Sequence, residues 1–118
     1  MATSLQITER RKGDVTILDL TGRVVLGEGD VPFRQAIEAL VKEKRLKIIL
    51  NLKDVTYIDS AGVGVMVGKL VSLRRQGGDI KLLTLVQRNL RVMTITKLVT
   101  VFEIFESEDE AIKSFDVR

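Results

Sequence analysis

The chain has 118 residues, 45% of them hydrophobic and 30% charged, the balance of one soluble globular domain whose core needs no metal or disulfide staple. It has no Cys and no His, which excludes disulfides, thiol chemistry, ordinary zinc sites and a Ser-His-Asp triad, and removes the commonest general acid–base residue. Its 19 basic and 16 acidic residues are scattered or locally balanced, with four Phe, one Tyr and no Trp, so no nucleic-acid surface is expected.

The opening "MATSLQITERRKGDV" has no apolar signal-peptide core. No later run approaches the roughly 18 apolar residues of a membrane span. A cytoplasmic protein without a membrane partner is the expectation. Leu5 and Ile7 alternate with polar neighbours and start a short strand. Lys12-Gly13-Asp14 reads as a hairpin turn, and the β-branched "VTILDLTG" as the second strand, ending at Gly22. "GRVVLGEGD" reads as an extended connection. Asp30 is placed to cap the next helix and Pro32 falls in its first turn. Phe33, Ile37, Leu40 and Val41 give that helix its apolar stripe, with an end near Lys44. "LKIILNL", residues 46–52, reads as a central strand covered on both faces. "DVTYI" then carries the chain to Asp59-Ser60. Residues 61–76 have helical length and leave through Arg74-Arg75 before Gly77-Gly78, as helix C-termini favour. "IKLLTLV" is a strand. "RNLRVMTITKL" is ambiguous, because Leu90, Met93 and Lys97-Leu98 fit a helix while Thr94-Ile95-Thr96 is β-branched. "VFEIF" reads as a short strand, and Ser107 with Glu110 forms a capping box before Ala111, Ile112 and Phe115.

The order β-β-α-β-α-β-α-β-α predicts an α/β fold: a mixed, mostly parallel sheet with about four helices, its first two strands a hairpin, in one domain over residues 1–118. No linker, repeat or low-complexity stretch interrupts it.

The chemistry concentrates in "VTYIDSAGVGVMVGKL", residues 55–70. Asp59 or Ser60 can cap the helix that follows. Capping leaves the glycines unexplained, since each Gly inside a helix costs about 1 kcal/mol relative to Ala. Gly64 and Gly68 share a face. Close packing on the sheet accounts for Gly68, whereas Gly62 and Gly64 would keep the approach to Ser60 open. A dinucleotide cradle is a poor fit. Gly62-x-Gly64-x-x-x-Gly68 is one residue too long for the fingerprint, and Asp79 precedes its strand where the fingerprint wants an acid at a strand end. The other reading makes Ser60 a hydroxyl held at an exposed helix start, available to a kinase.

"LNLKDVTYIDSAGVGVMVG" resembles the signature of STAS-domain anti-sigma factor antagonists: an apolar strand ending Asn51-Leu52, then Asp59, Ser60, Ala61, Gly62, Val63 and Gly64 opening a helix. The resemblance covers nearly the whole chain. It implies a non-enzymatic binding module without cofactor or metal. Unmodified, such a protein binds an anti-sigma factor, usually a serine kinase, and frees a sigma factor; phosphorylation of Ser60 breaks the complex and a serine phosphatase restores it. The partner-binding residues it implies are Asp59, Ser60, Ala61, Gly62, Val63 and Gly64, with "GRVVLGEGD" the next surface to test. Asp59 would cap the helix, shape that surface or contact the Ser60 hydroxyl. A phosphate at Ser60 would meet free N–H groups and the helix dipole there. Ala61 replaces a second hydroxyl, Val63 replaces a leucine, and "MTITKL" lacks a small Ser-Gly pair, which bears on the partner's identity. The alternative is a STAS scaffold or a ligand- or nucleotide-sensing module in which Ser60 is only the N-cap. An enzyme built on Asp59 or Ser60 is set aside, since no general base lies nearby in sequence.

Overall fold

A computed structural model describes residues 5–116. The first four and last two residues of the expected domain, and with them the start of the N-terminal segment, lie outside the described residues. The elements are β1 (Leu5–Lys12), β2 (Val15–Val24), α1 (Asp30–Lys42), β3 (Lys47–Ile58), α2 (Ser60–Arg75), β4 (Asp79–Leu83), α3 (Gln87–Ile95), a 3-10 turn (Leu98–Thr100), β5 (Ile104–Phe105) and α4 (Glu108–Ser114). The strands lie side by side in chain order. β1 and β2 form the expected antiparallel hairpin, and β2, β3, β4 and β5 run parallel. The architecture is the mixed, mostly parallel α/β sheet with four helices that the sequence implies.

Strand alternation divides the core. Leu18, Leu20, Ile48, Leu50 and Leu52 face Phe33, Ile37 and Leu40 of α1, Met66, Leu70 and Leu73 of α2, and Met93 of α3. Val15, Ile17, Ile49 and Leu83 face the other way, under Ala111 of α4 and Phe115 just past it. β3 is therefore buried on both sides, as its unbroken apolar run requires.

Local differences have local causes. β3 continues six residues past Leu52, because Val55 and Ile58 are buried and pair along the far half of β2. Two register shifts in that pairing convert the two-residue period into steps of three, which hides the strand from a pattern reading. β2 likewise runs on to Val24. α1 ends at Lys42 and Lys44 turns out of it with φ 62°. Asp30 opens α1, but Gly29 holds the cap position, and the Asp30 carboxylate instead accepts from the Gly27 N–H at 3.0 Å. Gly29 has φ 96°, and a Cβ there would lie 2.3 Å from the Arg23 carbonyl oxygen, so only glycine fits. The ambiguous segment is helical to Ile95 and then breaks at Lys97, whose φ is 63°. Of "VFEIF" only Ile104 and Phe105 pair as strand. Ser107 caps α4 by accepting from the Glu110 N–H at 3.3 Å. Among the described residues no helix is long and apolar enough to cross a membrane.

Candidate functional site

β3 ends at Ile58 and α2 begins at Ser60, so Asp59 alone makes the turn from strand to helix. Its backbone is extended (φ −97°, ψ −172°), the conformation of an N-cap. One carboxylate oxygen, Oδ1, accepts from the N–H groups of Ala61 at 2.9 Å and Gly62 at 3.1 Å. The other, Oδ2, accepts from the N–H of Leu26 at 3.0 Å. Its own N–H donates to the Val24 carbonyl at 3.2 Å. One acidic side chain thus caps α2 and ties it to the β2–α1 loop. The Leu26 N–H above all holds this carboxyl below its ordinary value; desolvation opposes it, and the N–H groups of Gly62 and Ala61 add to the lowering.

The cap is therefore Asp59 and not Ser60. Ser60 is the first helical residue, it is exposed, and its hydroxyl has no hydrogen-bond partner among the described residues. The donors expected to be free for a phosphate are in part committed: Ala61 and Gly62 already give theirs to Asp59.

Gly62 and Gly68 exchange the roles expected of them, while Gly64 is open as expected. Gly62 is buried against the sheet; a Cβ on it would come within 2.5 Å of the Val24 carbonyl oxygen and 2.8 Å of Ile58 Cγ2. It brings the first turn of α2 onto the ends of β2 and β3 and does not face an approaching molecule. Gly64 and Gly68 are exposed, with no atom within 4 Å of where a Cβ would stand. Gly68 is thus not a packing residue. Together with Ala61, Val65, Arg34 and Lys69 these two glycines line a shallow groove between α1 and α2 that starts beside Ser60. Val63 is half-buried against the main core.

Two further contributors complete the site: the loop named from sequence as the next surface to test, and a residue of α3 that the sequence reading did not single out. The loop between β2 and α1 is a tight reversal, with Val25 and Glu28 exchanging backbone hydrogen bonds at 2.9 Å. Leu26 at its tip is 75% exposed, an apolar side chain held next to the start of α2 by Asp59. Asn89 on α3 is buried; its Oδ1 accepts from the Ile58 N–H at 3.2 Å, and its Nδ2 donates to the Val55 carbonyl at 2.9 Å. It fixes the last turn of strand before the motif. Its signal was a polar residue four positions before the buried Met93, on the same helix face. Next to it Arg88 lies over the Tyr57 ring, 5.8 Å from the centroid.

No group of three or more acidic, His or Cys residues able to hold a metal occurs among the described residues. The Asp59 carboxylate has its oxygens occupied by backbone donors, so it is poorly placed to take a proton from Ser60.

The chain matches the STAS domain family over residues 6–111. An anti-sigma-B factor antagonist of Bacillus subtilis (strain 168) is 36% identical over 87 residues, covering 74% of this chain and 72% of that protein. The crystal structure of a candidate anti-sigma factor antagonist from Thermotoga maritima superposes with a TM-score of 0.84 at 26% identity, over 94% of this chain and 95% of that one. The Bacillus cell fate determinant SpoIIAA, in its phosphorylated form, has the same fold, with a TM-score of 0.72 at 21% identity over 92% of this chain and 98% of that one. With the strand–Asp-Ser–helix geometry in place and the match spanning all five strands, the chain belongs to the STAS domain family.

Proposed function

We propose that this protein is an anti-sigma factor antagonist, a cytoplasmic binding module without catalytic activity, switched by phosphorylation of Ser60. Unmodified, it docks on an anti-sigma factor of the serine kinase type and so releases a sigma factor. The kinase phosphorylates Ser60 and the complex dissociates; a serine phosphatase resets it. The observation that carries this reading is the Ser60 hydroxyl: exposed at a helix start and excused from capping by Asp59. A serine whose only task was the cap would have its oxygen on a backbone N–H. The relative named as an anti-sigma-B factor antagonist and the fold shared with a phosphorylated SpoIIAA support the same reading.

The docking face consists of Ser60 and Ala61, the groove over Gly64 and Gly68, and the Leu26 tip, which together offer small and apolar surface edged by Arg34 and Lys69. Asp59 and Gly62 serve it from beneath, one by tying loop to helix and the other by seating the helix. Phosphate adds about −1.5 to −2 charge. It does so beside an ionised Asp59 whose neighbouring N–H donors are taken, so the new charge stands on the docking face and repels an approaching apolar or acidic surface.

The test uses the cognate serine-kinase anti-sigma factor, isolated by pull-down with the unmodified protein. Ser60→Ala is expected to bind it as wild type does and to accept no phosphate. Ser60→Asp is expected to bind more weakly by calorimetry, though it has one charge and no tetrahedral oxygens. Equal affinity of Ser60→Asp and wild type would overturn the charge-block mechanism. Phosphate found by mass spectrometry only at other residues would overturn the assignment of Ser60.

A further inference from the structure

A second cavity lies at the opposite end of the parallel strands from Ser60, on the face covered by α4. Its volume is about 420 Å³, within the range of small-molecule sites. Lys47 and Asp79, the first residues of β3 and β4, line its floor, and Phe115, just past α4, lines its side. β3 separates it from the motif by on the order of 35 Å.

Lys81 is the residue that needs explaining. It lies on β4 between Ile80 and Leu82, its side chain turned with Leu83 toward the α4 face, and only 6% of that side chain is exposed. A leucine or methionine would fill the place without burying a charge. The ammonium reaches Glu103 at 2.8 Å and lies 4.6 Å from the Phe115 ring centroid and 5.8 Å from that of Phe105. An ammonium has three donors. Glu103 accepts one, and the others lie between the two aromatic faces and the cavity, which Asp79 and Ser114 also line. An ammonium buried at the wall of a cavity has donors to offer a further acceptor that enters it. Glu103 is itself 55% exposed and free to swing aside.

We propose that this cavity binds a small monocarboxylate with a flat apolar body. The carboxylate would take the remaining Lys81 donors, with Lys47, which now donates to the exposed Asp14 at 2.7 Å, as the nearest further cation, and the body would lie against Phe105 and Phe115. The charge of the lining selects the valence. Lys47 is paired with Asp14 at 2.7 Å, Asp79 with Arg74 at 3.1 Å and Lys81 with Glu103 at 2.8 Å, so the lining has no net positive charge to hold a dianion such as phosphate and suits a monoanion better. The site is independent of the Ser60 switch and stands whether or not that switch operates.

The experiment is a titration of the full chain with benzoate, followed by backbone amide NMR, with benzamide and inorganic phosphate as comparison probes. Benzoate is expected to cause saturable shifts centred on Gly77, Gly78, Lys81 and Phe115. Benzamide, which keeps the ring and loses the charge, should bind at least about tenfold more weakly, the worth of one charged hydrogen bond. Lys81→Met, which keeps the apolar stem, should lose a similar factor. Absence of saturable shifts at millimolar benzoate would overturn the proposal, as would equal binding of benzamide or tighter binding of phosphate. The comparison of probes on the wild-type chain decides the matter even if Lys81→Met fails to fold.

Discussion

Asp59 and Ser60 are neighbours in sequence and have divided their work. Asp59 makes the backbone contacts and Ser60 makes none, so the two should respond differently to truncation. Ser60→Ala is expected to change unfolding free energy by less than about 0.5 kcal/mol, as for a surface residue without a partner. Asp59→Ala is expected to lower the melting temperature measurably and to speed hydrogen exchange at the Leu26 amide, which loses its acceptor. The glycines separate in the same way. Gly62→Val should destabilise by about 1–3 kcal/mol or more, because the added atoms meet the Val24 carbonyl and Ile58. Gly64→Ala should stabilise by up to about 1 kcal/mol through helix propensity, yet weaken partner binding, which is the cleaner probe of docking. Paired denaturant melts and binding isotherms check both. The mistaken orientation of Gly62 and Gly68 has a physical origin. Gly62, Met66, Leu70 and Leu73 form one inward stripe at helical spacing, which was there to be read. The flanks carry the half-buried Val63, Val65 and Val67 and the outer face the exposed Val71, so the helix shows little contrast between its sides, and shared periodicity says which residues lie together without saying which side faces the sheet.

At the scale of elements, α3 acts on the motif through one side chain. Asn89 satisfies a donor and an acceptor on β3 just ahead of Asp59. Replacing it with leucine leaves both strand groups buried and unpaired, at a cost of about 1–3 kcal/mol. Asn89→Leu is expected to speed exchange of the Ile58 amide and to slow phosphorylation of Ser60 in a kinase assay, although residue 89 does not belong to the docking face. Elements with strong periodicity were legible: the β1–β2 hairpin, the α1 stripe, the Arg74 to Gly78 exit of α2 and the Ser107 cap of α4. What escaped depended on contacts distant in sequence. The second half of β3 is strand because β2 pairs with it through register shifts, and the Asp59–Leu26 tie spans 33 residues.

For the whole molecule, the face opposite α1, α2 and α3 is held partly by charge. Arg10 on β1 donates to Asp19 on β2 at 2.6 and 3.0 Å and to Glu108 at the start of α4 at 3.2 and 2.7 Å; Asn51 on β3 also donates to Asp19, at 2.8 Å. The Arg10 hydrogen bonds are the main reason both carboxyls stand below their ordinary values of 3.8 and 4.5. A carboxyl whose pKa is lower folded than unfolded contributes stability above the unfolded value, and the contribution disappears as pH falls through the folded one. The melting temperature should therefore hold down to roughly pH 5 and fall steeply below about pH 4. Arg10→Gln is expected to melt lower at neutral pH and to show a shallower decline in acid, since its carboxyls return toward ordinary values. Calorimetric melts across that pH range check both halves of the expectation.

The side-by-side order of the strands also sets a schedule. On a ribosome the chain emerges from its N-terminus, and each strand after the first meets a finished neighbour to pair with. Ser60 leaves early, while the strut that braces its strand arrives 29 residues later, as Asn89. A half-made chain therefore displays the serine without the platform that presents it. Under the proposed function, the fold would delay the arming of the Ser60 switch until most of the molecule exists.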